Sequence, residues 1–198
     1  LKGPRSGALV PPGEYTAALT IGGQTMTEKL TVANDPSSHG DAAGMEQRYR
    51  VTEAVLHEVS QLDVALNRIA AIEAQLGALR VVVKSTPDEK QTGAAIDALE
   101  KQMKAAEHEI TSNPGAAEST LRVPDQIHEH LLMLAMGLEG EDDAPTAAML
   151  DQKKLLDPEY EAALQKFNEF LKTDVAAFNQ KMAEQHLTGV LAGLSVTP

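Results

Sequence analysis

Residues 45–83, MEQRYRVTEAVLHEVSQLDVALNRIAAIEAQLGALRVVV, decide the fold class. Val55, Val59, Leu62, Leu66, Ile69, Leu76, Leu79 and Val83 recur three, four or seven positions apart, which sets them on one stripe of an α-helix. The spacing predicts one amphipathic helix over about 45–83, ended by Thr86-Pro87, ~60 Å long at about 1.5 Å per residue. A helix with one apolar stripe must bury it against other elements. The rest of the sequence supplies them.

Ile96, Leu99, Met103, Ala106 and Ile110 form a second, heptad-like seam, stopped by Asn113-Pro114-Gly115. A third helix is expected to start at Pro124 and carries Ile127, Leu131, Leu134 and Leu138. Asp143 is the expected cap of a fourth, with Pro145 in its first turn and Tyr160, Leu164, Phe167, Leu171, Val175, Phe178 and Met182 on its apolar face. Pro158 is expected to kink or break that helix near Asp157. The chain thus reads as mainly α, an antiparallel bundle of about four helices, two long and two short. Two arrangements are open: up-down-up-down, with the short pair covering the far halves of the long pair, or the short pair end to end as one rod of three.

Ahead of the bundle the period changes to two. Tyr15, Ala17, Leu19 and Ile21 alternate with threonine and alanine, and after Gly22-Gly23 the residues Met26, Leu30 and Val32 alternate with polar positions. Two glycines between alternating runs specify a tight hairpin turn. Leu9 and Val10 are a candidate further short strand, kept from a central place by Pro11-Pro12. The reading divides the chain into 1–36, a β-hairpin from a partial immunoglobulin-like module, and 37–198, the helical bundle. The hairpin either closes a sandwich or lies on the helices, with Tyr15, Leu19 and Leu30 against Tyr49, Val55 and the end of the fourth helix.

Composition narrows the function. The net charge of −12 over 198 residues argues against nucleic acid or an anionic membrane as partner, because both need a basic face. The densest apolar run, LLMLAM at 131–136, falls far short of the about 18 residues that span a bilayer. With no Trp, three Phe and three Tyr, the core must be aliphatic. Zero cysteines leave the redox compartment open, and any export signal is expected upstream of Leu1.

The stretch PPGEYTAALTIGGQTMTEKLTVANDP at 11–36 resembles the hairpin that ends the immunoglobulin-like module of bacterial exported β-propeller proteins, the BNR-repeat glycosyl hydrolases or sortilin-like proteins. LDVALNRIAAIEAQLGALR at 62–80 resembles their first helix, LEGEDDAPTAAM at 138–149 the loop and cap before their last, and DVAAFNQKM at 174–182 their terminal helix. The resemblance implies a non-catalytic C-terminal structural or interaction module, periplasmic or extracellular, whose partners are the upstream propeller and immunoglobulin-like region. It also admits an accessory part of a glycoside hydrolase whose active site lies in that propeller. A homodimer through the hairpin edge is a further expectation.

No catalytic, cofactor or metal residue is assigned. His57-Glu58 and His108-Glu109 begin like a zincin helix, but Gln61 and Ser112 stand where the second histidine belongs. His128 and His130, two apart on a helix, point about 200° away from each other, so His128-Glu129-His130 reads as a solvated helix start. Glu139, Glu141, Asp142 and Asp143 lack the alternating ligands, turn glycine and distal bidentate glutamate of a calcium loop. A glycosidase pair needs two carboxyls across a cleft, which no spacing here specifies, and no nucleophile motif is present.

Overall fold

A computed structural model of the chain describes residues 7–38, 40–112 and 125–197. Strands β1 (Gly13–Ile21) and β2 (Gln24–Val32) form the antiparallel hairpin, and the helices follow as α1 (Ala42–Val83), α2 (Glu89–His108), α3 (Ile127–Leu138) and α4 (Ala147–Phe170). A π turn at Leu171–Val175, wider than an α turn, joins α4 to α5 (Ala176–Glu184), so the fourth rod is one long helix with a bulge. The fold is therefore a helical bundle of two long and two short helices behind a hairpin.

The apolar stripes meet as their spacing dictates. Every residue of the α2, α3 and α4–α5 stripes is buried. On α1 the stripe is wider than expected: Ala65 and Ile72 are buried, whereas Leu66 and Leu79 are only half-buried. A straight α-helix drifts by about 20° per heptad, and over its 42 residues α1 faces two neighbouring rods rather than one seam.

Helices α2 and α3 do not lie side by side. Both pack on α1 and on the fourth rod, and they touch each other only end to end, where the amide of His128 donates to the Ile110 carbonyl at 3.0 Å. This is the three-rod arrangement. Arg80 beside Asp97 and His128 beside Asp63 show α2 and α3 both running antiparallel to α1, while Glu58 beside Lys153 shows α4 parallel to it. Beyond α5 the chain turns back, and residues 187–197 lie along the groove between α1 and the fourth rod, burying Val190 and Val196.

Several local expectations change. Helix α4 runs through Pro158 without a break. The proline lies on the exposed face, where water can reach the Lys154 carbonyl that loses its donor, while Leu156, Tyr160 and Leu164 hold the axis by burial. Thr146, rather than Asp143, caps α4 by accepting from the Met149 amide at 3.3 Å, so Pro145 precedes the helix. Gln126 caps α3 in a box with Glu129, two residues after the expected start at Pro124. Pro124 itself, and the stop at Asn113-Pro114-Gly115, lie outside the described residues. Leu9 and Val10 form no strand.

Candidate functional site

The hairpin has two unlike faces. The register pairs Tyr15 with Leu30, Ala17 with Glu28, Leu19 with Met26 and Ile21 with Gln24, so the apolar residues of both strands share one side. The other side carries Glu14, Thr16, Ala18 and Thr20 opposite Thr31, Lys29, Thr27 and Thr25, with Thr31 donating to Glu14 at 2.5 Å and Thr20 bonded to Thr25 at 2.9 Å. Gly22 and Gly23, at φ of 59° and 83°, make the primed turn that matches the strand twist.

Among the described residues no helix covers the apolar side. Neither described strand packs on a helix, apart from Val32 at the end of β2 facing α1 across a cleft, and Leu19, Ile21 and Met26 are 56%, 63% and 60% exposed. The expected contact of Tyr15, Leu19 and Leu30 with Tyr49 and Val55 is absent; Tyr15 instead folds onto its own base, donating its hydroxyl to the Pro11 carbonyl at 2.6 Å. The hairpin therefore stands off the bundle, with both outer strand edges unpaired among the described residues.

Its base is anchored differently. Leu9–Pro12 and Val32–Asp35 face Met45, Arg48 and the α3–α4 loop at Gly140–Asp142 across a cleft. Behind the cleft lies the buried Arg48 guanidinium, which donates from Nε to the Asp143 carbonyl at 2.5 Å, from Nη1 to the Leu138 carbonyl at 3.1 Å and from Nη2 to the Ala144 carbonyl at 3.3 Å. The acidic run thus contributes main-chain oxygen to an arginine clamp. The clamp ties the end of α3 to the first turns of α1.

The histidine motifs separate. His57 and His108 are exposed, Glu109 pairs with Lys166 at 2.7 Å, and Glu58 faces the fourth rod. At α3 the expectation of a solvated start fails, because His128 and Glu129 are both buried. The end-to-end joint is the cause. It sets His128 Nε2 2.9 Å from Asp63 of α1, while Glu129 accepts from the Thr111 hydroxyl at 2.5 Å and from the amides of Ser112 and Gln126 at 3.3 and 2.9 Å. His130 is only half-buried and does not join this cluster. The cluster fastens α2 to α3 and α3 to α1.

One further polar group bridges α1 and α4. Lys153 Nζ lies 2.8 Å from Glu58 and also against Asp157. Burial pushes the Glu58 carboxyl above its ordinary range against the pull of the lysine. Burial, helped by the Glu58 charge, pushes the Tyr160 hydroxyl up to about 12. The lysine contacts both carboxylates, so the arrangement is an ion bridge between rods. Sequence reasoning missed this group because its members lie in two helices far apart in the chain. Compared with known proteins, the chain matches no family model, no curated protein and no solved structure. Among the described residues no helix is long and apolar enough to cross a membrane.

Proposed function

We propose that the chain is a non-catalytic structural or interaction module, and that its hairpin is the docking element that completes a β-sandwich with strands outside this chain. The observation that carries the reading is the uncovered apolar face of Leu19, Ile21, Met26 and Leu30 on a two-stranded sheet. An isolated hairpin is marginal in water, and a sheet with one apolar side gains stability only when that side is covered. Sheets pack face to face at ~10 Å, and the alternation from Tyr15 to Val32 suits such a layer better than a helix groove. The resemblance of residues 11–36 to the end of an immunoglobulin-like module supports the same partner: the upstream immunoglobulin-like and propeller region of an exported protein. On this reading the Arg48 clamp and the cleft at the hairpin base fix the angle at which the bundle leaves the sandwich.

The test uses the absence of native cysteine. Leu19→Cys is expected to react rapidly with a maleimide in this chain, and at least tenfold more slowly when the immunoglobulin-like region is present, in cis or added in trans. Equal rates would overturn the reading. Slow labelling of this chain alone, rising on dilution, would assign the face to a second copy instead.

A further inference from the structure

The tail that follows α5 is held by side-chain amides as well as by apolar packing. Helix α5 ends with His186 in the left-handed region at φ 56° and with the Leu187 amide donating to the Met182 carbonyl at 2.8 Å, which reverses the chain. Residues 187–197 form no helix or strand, yet Val190 and Val196 are 4% and 3% exposed while Leu191 and Leu194 are 84% and 85% exposed. Two small apolar side chains point fully in, Leu187 and Ala192 are partly buried against the core, and Leu191 and Leu194 face out.

Three side-chain amides hold the segment, each at two points. Asn179 accepts from the Val190 amide at 2.7 Å and donates to the Val190 carbonyl at 2.9 Å. Gln75 does the same to Leu191 at 2.8 and 3.0 Å, and Asn168 to Val196 at 2.8 and 2.7 Å. A primary amide has an NH2 group with two donors beside a carbonyl acceptor, and Gln75 Nε2 uses its second donor on the Ala71 carbonyl at 2.9 Å. Applied to the N–H and C=O of a single residue, such an amide reads backbone as a neighbouring strand would, whatever the side chain. Asn168 and Asn179 stand eleven residues apart on the fourth rod, ~16 Å at about 1.5 Å per residue. The six steps from Val190 to Val196 bridge that span at about 2.7 Å each, nearly twice the rise of a helix and short of a full strand, because Gly193 at φ 73° turns the chain between the two valines.

Side-chain selection is strongest at four positions, Gly189, Val190, Gly193 and Val196: Gly193 lies in the left-handed region at φ 73°, which favours glycine, while Leu187 and Ala192 only partly pack on the core. The two valines enter the core between α1 and the fourth rod. A Cβ on Gly189 would lie 2.2 Å from Asn179 Oδ1, so the residue before the first valine must be glycine for the amide to reach the backbone. Backbone read by paired hydrogen bonds, with specificity left to alternate pockets, is how extended peptides are recognised by proteins that bind them.

We propose that the groove between α1 and the α4–α5 rod is a peptide-binding groove, filled in cis by the chain's own tail, and that it accepts in trans a non-helical segment of the same pattern: glycine, then a small aliphatic residue, a second glycine three positions after it, and a second small aliphatic residue six positions after the first. The tail is tethered, which gives it an effective concentration on the order of millimolar. It acts as the resident competitor, and an incoming segment must displace it. This reading does not depend on the hairpin.

The probe is a fluorescent peptide of residues 187–197. In the full chain, the double substitution V190D and V196D places charge where the pockets are apolar and expels the tail without touching a groove residue. The peptide is expected to bind this variant at least tenfold more tightly than it binds the unaltered chain. Adding Asn168→Leu and Asn179→Leu is expected to weaken that binding at least tenfold, and a peptide carrying both aspartates is expected not to bind. Binding to the variant no tighter than to the unaltered chain, with its helical circular dichroism intact, would overturn the proposal and leave the tail as ordinary packing. If the variant loses its helical signal, a second measurement decides on the otherwise unaltered chain: Leu194→Cys carries an environment-sensitive dye at an exposed site, and unlabelled peptide is titrated to millimolar concentration. A saturable change, absent with the aspartate peptide, supports displacement; a silent dye refutes it.

Discussion

Replacing Arg48 by leucine should destabilise the bundle by about 2–4 kcal/mol, and the contributions can be worked from three carbonyls. The leucine keeps most of the buried stem but removes the donors to Leu138, Asp143 and Ala144. The contact with Leu138 is fully buried, and a stranded buried acceptor costs about 1–3 kcal/mol. The other two contacts are only part-buried, so water replaces much of what is lost and each contributes about 0.5 kcal/mol, the low end for a net hydrogen bond. Arg48→Lys should fall between, at about 1–2 kcal/mol, because an ammonium keeps the charge but cannot span three acceptors as a planar fork does. The assay is urea unfolding followed by helical circular dichroism, with the slope checked for constancy, beside amide exchange of residues 139–146, which should accelerate in both variants. A loss below about 0.5 kcal/mol for Arg48→Leu with unchanged exchange would show that the three oxygens are already hydrated and that the clamp stabilises nothing.

Tyr160→Phe should leave stability at pH 7 unchanged or slightly raised, because the buried hydroxyl has no hydrogen-bond partner among the described residues. The same variant should flatten the alkaline limb: the folded-state pKa is raised to about 12 from an ordinary value near 10, so the wild type loses stability as pH rises between those values, by on the order of 2 kcal/mol in all. Urea midpoints at pH 7, 10 and 11 test both statements, and parallel curves for the two proteins would contradict the second. Phe178→Ala, at a fully packed site, should cost about 3–5 kcal/mol, whereas Leu66→Ala should cost only about 1–2 kcal/mol because Leu66 is half-buried; equal losses would show that the α1 stripe is misplaced. Leu19→Asp should change the helical unfolding free energy by less than about 0.5 kcal/mol, since among the described residues no helix touches the strand at that position. A larger loss would mean that the hairpin packs on the bundle after all.

The sequence by itself determined everything that depends on local periodicity. Stripes at helical spacing placed all four helices, and on three of them every stripe residue is buried, although Thr92, His128, Glu129, Ala135, Leu156, Ala163 and Phe170 are buried outside the stripes. The alternation around Gly22-Gly23 placed the hairpin with its apolar residues on one side, beside Gln24 and Glu28. Those signals are legible because each is generated by one element's own geometry. What depended on the meeting of elements was decided only in three dimensions. Two end-to-end helices and two side-by-side helices carry the same stripes, so the three-rod arrangement, and with it the burial of His128 and Glu129 against Asp63, followed from packing. Pro158 kept its helix because neighbouring residues are buried, a fact about the core rather than about proline. The tail from Leu187 shows no periodicity at all, and the amides that hold it include Gln75, which stands 116 positions from Leu191. A contact of that kind leaves no mark on either stretch alone, because a glutamine that reads another segment's backbone looks, in sequence, like any polar residue on a helix surface.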